Sequence, residues 1–273
     1  MANFRDRVEI EIQSGIARVR LTRPEKHNGI DFAMLAAVIE AGRSLKADRS
    51  LRAVILHGEG PSFCAGLDFK TVLSEPVKAA AGYAKLWKPT RNDFQAWSMG
   101  WRELPVPVIA AIHGSCFGGG IQLALGADIR IATPDAKLSV MEAKWGLIPD
   151  MGGAALLREL VPIDVAKELC FTGRVFSGAE ALALGLVTRV EADPLAAAEA
   201  LAAQIATRSP DAVAAAKLLL QQAWHSDEPA ALGFERHWQR KLMARANQRI
   251  AVKNNLSKEA AANPKPFRPR SVV

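Results

Sequence analysis

Two glycine-containing segments carry the pattern of a backbone that binds an anion: Phe63-Cys64-Ala65-Gly66-Leu67-Asp68 and His113-Gly114-Ser115-Cys116-Phe117-Gly118-Gly119-Gly120-Ile121-Gln122. Each follows a short apolar run that reads as a buried strand. Three successive glycines remove every Cβ beside the main chain, so a ligand atom can approach the N–H groups directly, and a helix starting there adds the positive end of its dipole. An oxyanion is favoured at that point. Close packing of a helix on a strand is the alternative use of the same glycines. Two carboxylates lie farther along. Glu142 follows Leu138-Ser139-Val140-Met141, and Asp150 follows Trp145-Gly146-Leu147-Ile148-Pro149, an apolar loop bent by Gly146 and Pro149. Apolar flanks desolvate a carboxylate, raise its pKa and suit it to general acid–base work. The plainer readings are a helix cap near Gly152 for Asp150 and an exposed edge for Glu142.

Other chemistries fail on spacing. A dinucleotide fingerprint needs G-x-G-x-x-G with an acid about 20 residues on, and a phosphate loop needs Gly-Lys-Ser/Thr; neither occurs. A nucleophile elbow needs G-x-S-x-G, but Ser115 directly follows Gly114 and has no glycine two residues after it. His57 and His113 stand at strand ends without a partner Ser/Cys motif or a second ligand at metal spacing, so they read as packed residues. Cys116 reads as a small buried thiol, and Trp97 and Trp145 as wall or core.

These residues need a scaffold, and the hydrophobic pattern supplies one. Val8, Ile10, Ile12 and then Ala17, Val19, Leu21 alternate around Ser14-Gly15, which predicts a hairpin. Asp31 caps a helix running to about Ala47, and Ala53-Val54-Ile55-Leu56 reads as a buried strand ending at Gly58-Glu59-Gly60-Pro61. Residues 67–88 have mixed polarity without clear period and read as a mobile insertion. Val108 to Ile112 is another buried strand, and a helix begins at the glycines. Ile129-Arg130-Ile131 and Leu138-Ser139-Val140 are strands, with helices near Gly153–Leu160, Val165–Phe171 and Gly178–Leu184. Short strand and helix units in alternation predict an α/β fold. From about Pro194 only helices follow, and residues 263–273 read as an arm.

Composition narrows the class. With 273 residues and 49% of them hydrophobic, the chain can bury a sizeable core. No apolar run approaches the roughly 20 residues of a membrane span, and the start lacks the apolar core of a secretory signal, so a cytoplasmic home is expected. Cys64, Cys116 and Cys170 are an odd, scattered set that supports neither a disulfide framework nor a zinc site. From Arg236 onward ten Lys/Arg face one acid, Glu259, which leaves residues 1–235 at −2 of the net +7. A solvated helix face, a nucleic-acid patch and a clamp for a phosphate-bearing molecule are all consistent with such a tail. Nucleic acid is the minority reading, because only Trp238 and Phe267 interleave the basic residues.

Together the motifs resemble the crotonase superfamily of enoyl-CoA hydratases and isomerases. The likeness covers roughly residues 8–225. It is carried by Arg23-Pro24-Glu25-Lys26-His27-Asn28, the two glycine loops with Ala127-Asp128-Ile129-Arg130 after the second, Gly146-Leu147-Ile148-Pro149, Phe171-Thr172-Gly173 and Ala179 to Val187. The resemblance implies a crotonase-like spiral of ββα units over residues 1–205. It also implies a helical oligomerisation region with a basic arm over 206–273, in a homotrimer or dimer of trimers. An acyl-CoA thioester is the implied substrate, with coenzyme A part of it and no separate cofactor or metal. The N–H groups of Leu67 and Gly119 are implied to form an oxyanion hole. Ala65, Gly66, Asp68, Gly118, Gln122 and Trp145 are expected against the substrate, with Arg23 and Lys26 facing the nucleotide phosphates.

One departure bears on the reaction. Similar hydratases carry two glutamates, and the first falls here on Gln122, whose amide cannot accept and return a proton. Asp150, eight residues after Glu142, stands where similar dienoyl-CoA isomerases place an aspartate. Double-bond isomerisation by Glu142 and Asp150 is therefore expected, with hydration by Glu142 as the alternative. A further alternative is a catalytically degraded relative that binds acyl-CoA or RNA.

Overall fold

The computed structural model describes residues 1–273. The chain enters as a meander: β1 (Ala2–Phe4) pairs antiparallel with β2 (Val8–Gln13), and β2 with β3 (Ile16–Leu21). The register sets Val8 against Leu21 and Ile10 against Val19, which turns one apolar row of the hairpin into the core. The continuous apolar runs then become strands buried on both faces, as parallel pairing requires. The remaining strands are β4 (Ala53–Gly58), β5 (Val108–Ile112), β6 (Ser115–Phe117), β7 (Ile129–Ala132), β8 (Lys137–Ser139), β9 (Phe176–Ser177) and β10 (Arg189–Val190). A seven-stranded sheet has the order β1-β2-β3-β4-β5-β7-β10, and a three-stranded sheet the order β6-β8-β9. β5 leads at once into β6 and β7 into β8, so these two turns each give one strand to each sheet, and the chain winds as a spiral. β6 lies within the segment whose sequence reads as a glycine loop, because its three residues are too short for a period to show.

The helices fill the turns of the spiral. α1 (Phe32–Lys46) starts where expected, with Asp31 accepting from the N–H of Met34 at 2.6 Å. Residues 67–88, which show no clear period in sequence, are largely helical. They form α2 (Phe69–Leu73), α3 (Pro76–Ala84) and a 3₁₀ turn over Lys85–Trp87, with Asp68 capping α2 and Pro76 opening α3. The proline break splits one helical period into two short pieces and hides it. α4 (Asp93–Arg102) carries a capping box between Asn92 and Gln95. α5 (Gly119–Leu125) begins at the middle glycine, and α6 (Gly153–Leu157), α7 (Ile163–Thr172) and α8 (Gly178–Ala183) follow. The main core joins both sheets to α1, α4 and α5 around Trp97 and Trp101.

Past the last strand come α9 (Pro194–Ala206), α10 (Pro210–Ala223), α11 (Glu228–Leu242), α12 (Ala246–Asn255) and α13 (Lys258–Ala262). α9 lays Ala198 and Ala202 on Ile55, Ile109 and Ile131 of the large sheet. α10 is tied to the core by buried Lys217, whose ammonium lies 2.7 Å from Asp128 and donates to the carbonyl of Val106 at 2.9 Å. The final residues run back along the same subunit. The carboxylate of Asp211 accepts from Asn247, Ser271 and Val272, and the buried guanidinium of Arg270 donates to the carbonyl of Pro105 at 3.0 Å. No helix is long and apolar enough to cross a membrane.

Candidate active site

The small sheet brings the chemistry together. Cys64 bridges Cys116 in parallel, and β6 pairs with β8 in parallel. The segments that leave these three strands, Ala65-Gly66-Leu67, Gly118-Gly119 and Met141-Glu142, therefore emerge side by side at one sheet end, the place where open parallel sheets hold their ligands. Glycine permits the close fit: a Cβ on Gly66 would lie 2.7 Å from the carbonyl oxygen of Phe117, and one on Gly120 would lie 2.2 Å from that of Cys64. The segments line a cavity of about 300 Å³ whose walls are largely hydrophobic.

Two backbone donors face this cavity. The Gly66 carbonyl accepts from Ile30 N–H at 2.8 Å, and the Gly118 carbonyl from Gln122 N–H at 3.1 Å. In a trans peptide the N–H points opposite to its carbonyl, so these bonds turn the N–H groups of Leu67 and Gly119 the other way. Neither N–H finds an acceptor within the chain, and both residues line the cavity. Gly119 is also the first residue of α5, so its donor is one of the orphans every helix start leaves. Trp97 anchors that start by donating from its indole nitrogen to the Gly119 carbonyl at 2.8 Å.

Glu142 and Asp150 line the same cavity, and neither has a cation within ion-pair distance. Glu142 opens a 3₁₀ turn over Glu142–Trp145 rather than ending a strand, and it is buried. Burial pushes its carboxyl above the usual range; Asp150 adds to that rise, and a hydrogen bond from Gln122 opposes it. Its Oε1 accepts from Gln122 Nε2 at 2.6 Å, while Oε2 is buried without a partner. Asp150 is exposed on one side, yet its apolar surroundings also push its carboxyl up. Its open side lets water screen Asp150, whereas Glu142 is buried.

Gln122 links the two acids. Its side-chain oxygen accepts from Met151 N–H at 2.8 Å and from Gly153 N–H at 3.0 Å, which holds the loop bearing Asp150, and its nitrogen holds Glu142. Of the residues singled out from sequence, Ala65, Gly66, Leu67, Gly118, Gly119, Gln122, Glu142, Trp145 and Asp150 share the cavity. Arg23, Lys26 and Asp68 do not line it. Arg23 is buried, donating to Asp68 at 2.9 Å and to the Gly29 carbonyl at 2.9 Å, so its charge is committed to the loop rather than turned toward a phosphate. Asp68 in turn holds Arg23 and caps α2, which keeps its carboxylate from a ligand. Lys26 is exposed beside them. His57, driven down to about 4 by burial and Arg20, stays neutral away from the cavity, and burial pushes the Cys64 thiol up to about 12.

The covering wall was not read from sequence. Phe69, Val72, Ala79, Tyr83 and Leu86 of the α2–α3 segment line the cavity, and Phe69 stacks on Trp145 with ring centroids 4.3 Å apart. Their spacings of three, seven, four and three residues are helical, and that signal was present once the break at Pro76 is allowed.

Residues 11–261 match the family described as Enoyl-CoA hydratase/isomerase. A mitochondrial Delta(3,5)-Delta(2,4)-dienoyl-CoA isomerase of Mus musculus is 34% identical over 239 residues, which cover 85% of this chain and 73% of that protein. A mitochondrial methylglutaconyl-CoA hydratase of Mus musculus is 34% identical over 232 residues, covering 82% and 72%. A Thermobifida fusca YX protein provisionally assigned as an enoyl-CoA hydratase, solved in complex with CoA, superposes with a TM-score of 0.79 at 33% identity, covering 88% of this chain and 94% of that one.

Proposed function

The chain belongs to the enoyl-CoA hydratase/isomerase family, and on that premise we propose that it moves a double bond along the acyl chain of an enoyl- or dienoyl-CoA. The reading rests on one arrangement: two carboxyls of raised pKa, without cation partners, in a cavity that also holds two unpaired backbone N–H groups. The thioester oxygen accepts from Leu67 and Gly119. One carboxylate removes a proton from the acyl chain, and the electron pair left behind delocalises onto that oxygen. The other carboxyl, protonated, returns a proton at a distant carbon, so that no atom is gained or lost. Donors in a dry site stabilise the oxyanion before it forms, and removal of one such donor typically costs about 2.7–4 kcal/mol of activation free energy. Raised pKa values suit the acids to both halves of the transfer. The exposed side of Asp150 lets water reset the proton inventory after each turnover.

Hydration by Glu142 alone is the second reading. It is favoured by the unpartnered Oε2, which can accept from a water. Incubation with 3,5-dienoyl- and 2-enoyl-CoA esters, with products followed by mass, separates the two. Unchanged mass with a shifted double bond supports isomerisation, and efficient gain of one water by 2-enoyl-CoA rejects it. Assembly as a trimer or dimer of trimers belongs to the same proposal, supported by apolar residues left exposed on the last helices, Leu232, Val252 and Leu256. Light scattering that finds only monomer rejects it.

A further inference from the structure

We propose that a second cavity beside the site receives the far end of the acyl chain, and that Phe32 and Phe94 form the wall that limits chain length. The inference rests on the acyl-CoA reading above. The second cavity measures about 230 Å³, against about 300 Å³ for the site, and the two share Phe32, Leu35 and Phe94 in their linings. These side chains face both cavities. The wall is built from three helices. Phe32 opens α1, Phe94 lies in the first turn of α4 beneath its capping box, and Gly82 of α3 closes over both rings. The position of a Cβ on Gly82 lies 3.4 Å from Phe94 Cζ and 3.8 Å from Phe32 Cε1, ordinary contact distances that set α3 directly over the rings.

The lining of the second cavity suits an alkyl end. Leu35, Ala36, Ile39 and Ala81 give apolar surface, and the cations present are matched, Lys85 to Asp93 at 2.6 Å and Lys78 to Glu75 at 2.6 Å. No unpaired charge is left for a chain end to desolvate. With the wall in place, a chain that fills the site stops at the phenyl rings. With the wall removed, further methylenes leave water for an apolar chamber, at about fourfold in affinity for each. Four added methylenes then give a gain on the order of 10²-fold. The chain end is remote from the reacting carbons, so the change falls on KM and leaves kcat in place.

The test is a chain-length series of one acyl-CoA type, read as kcat and KM for wild type and Phe94→Ala. Wild type should lose efficiency beyond a limiting length, and Phe94→Ala should move that limit to longer chains through KM. Phe32→Leu opens the same wall from α1 and serves if Phe94→Ala unfolds. Ala36→Leu fills only the second cavity, so adding it to Phe94→Ala should cancel the gain. Identical length profiles for wild type and both wall variants, or a gain that survives Ala36→Leu, overturn the chamber while leaving the acyl-CoA reading intact. Failure of every protein to bind or turn over any ester of any length overturns that reading instead.

Discussion

Replacing Gln122 by glutamate tests the centre of the site with one atom. In the native chain the Gln122 oxygen faces two N–H donors, and its nitrogen donates to Glu142 Oε1 at 2.6 Å. Glutamate keeps the first pair of bonds and sets a second carboxylate oxygen where the nitrogen was. Two unit charges about 4 Å apart repel by about 4 kcal/mol at an effective dielectric of 20. The two carboxyls therefore titrate as a coupled pair whose last proton is held more tightly than the one on Glu142 in the native chain. If Glu142 must be ionised to start isomerisation, the acid limb of the pH–rate profile moves upward in Gln122→Glu. The rate at about pH 7 then falls by 10- to 1000-fold. Hydration of a short 2-enoyl-CoA should rise from a low level in the same variant, because a second acid now stands beside Glu142. The assay is kcat/KM against pH for 3,5-dienoyl-CoA, with water addition to 2-enoyl-CoA followed in parallel. An unmoved acid limb refutes the coupling between Gln122 and Glu142. Efficient hydration by wild type refutes the isomerase assignment itself.

Glu142→Gln and Asp150→Asn keep shape and remove basicity, so each should lower isomerisation by about 10²–10⁴-fold in steady-state assays. Because both carboxyls are raised in the folded state, their stabilising proton binding is present at low pH and lost as pH rises through the folded values; Glu142→Gln should therefore melt above wild type near pH 8, with the gap closing below about pH 4. Gly119→Pro removes an N–H at the first helical position, where proline is otherwise tolerated, and should cut turnover about 10²-fold or more. A Cβ there would sit 2.6 Å from Ile30 Cδ1 and 2.9 Å from Met151 Sδ, so the variant is best made with Ile30→Ala and Met151→Ala and compared with that pair of substitutions alone. Lys217→Ala leaves the Val106 carbonyl without its donor and Asp128 with the Val108 N–H alone beneath α10, and should destabilise the chain by about 1–3 kcal/mol in denaturant unfolding.

What was legible in the sequence depended on whether the signal was local. The hairpin around Ser14-Gly15, the Asp31 cap and the start of a helix at the glycines need only a few adjacent residues, and each is present as read. The shared cavity of Leu67, Gly119, Glu142 and Asp150 was reached through motif resemblance, because parallel pairing of segments about 50 residues apart leaves no periodic trace. Arg23 shows the limit of motif reasoning. A basic residue near a presumed phosphate reads as a ligand for it, but the fold supplies a nearer anion in Asp68, 45 residues away. The α2–α3 wall was missed for a different reason: with Pro76 in its middle, neither half is long enough to show a stripe.

Gln122 also narrows how Glu142 can act. An amide presents two faces of opposite polarity, and here the network decides between them. Met151 and Gly153 offer only N–H groups, so the Gln122 oxygen must face them and its nitrogen must face Glu142. Glu142 Oε1 is thereby fixed as an acceptor, and a proton placed on it would meet a donor. Oε2 is buried and without a partner, and on the proposed function it would be the oxygen that takes a proton from the acyl chain. A glutamate in place of Gln122 can hold or release a proton and so frees either oxygen; the glutamine cannot. On the proposed isomerisation the amide leaves Glu142 one working oxygen, and the second proton position would fall to Asp150, which lines the same cavity. Transfer between two separate carbons suits that division better than addition of water at one end of a double bond.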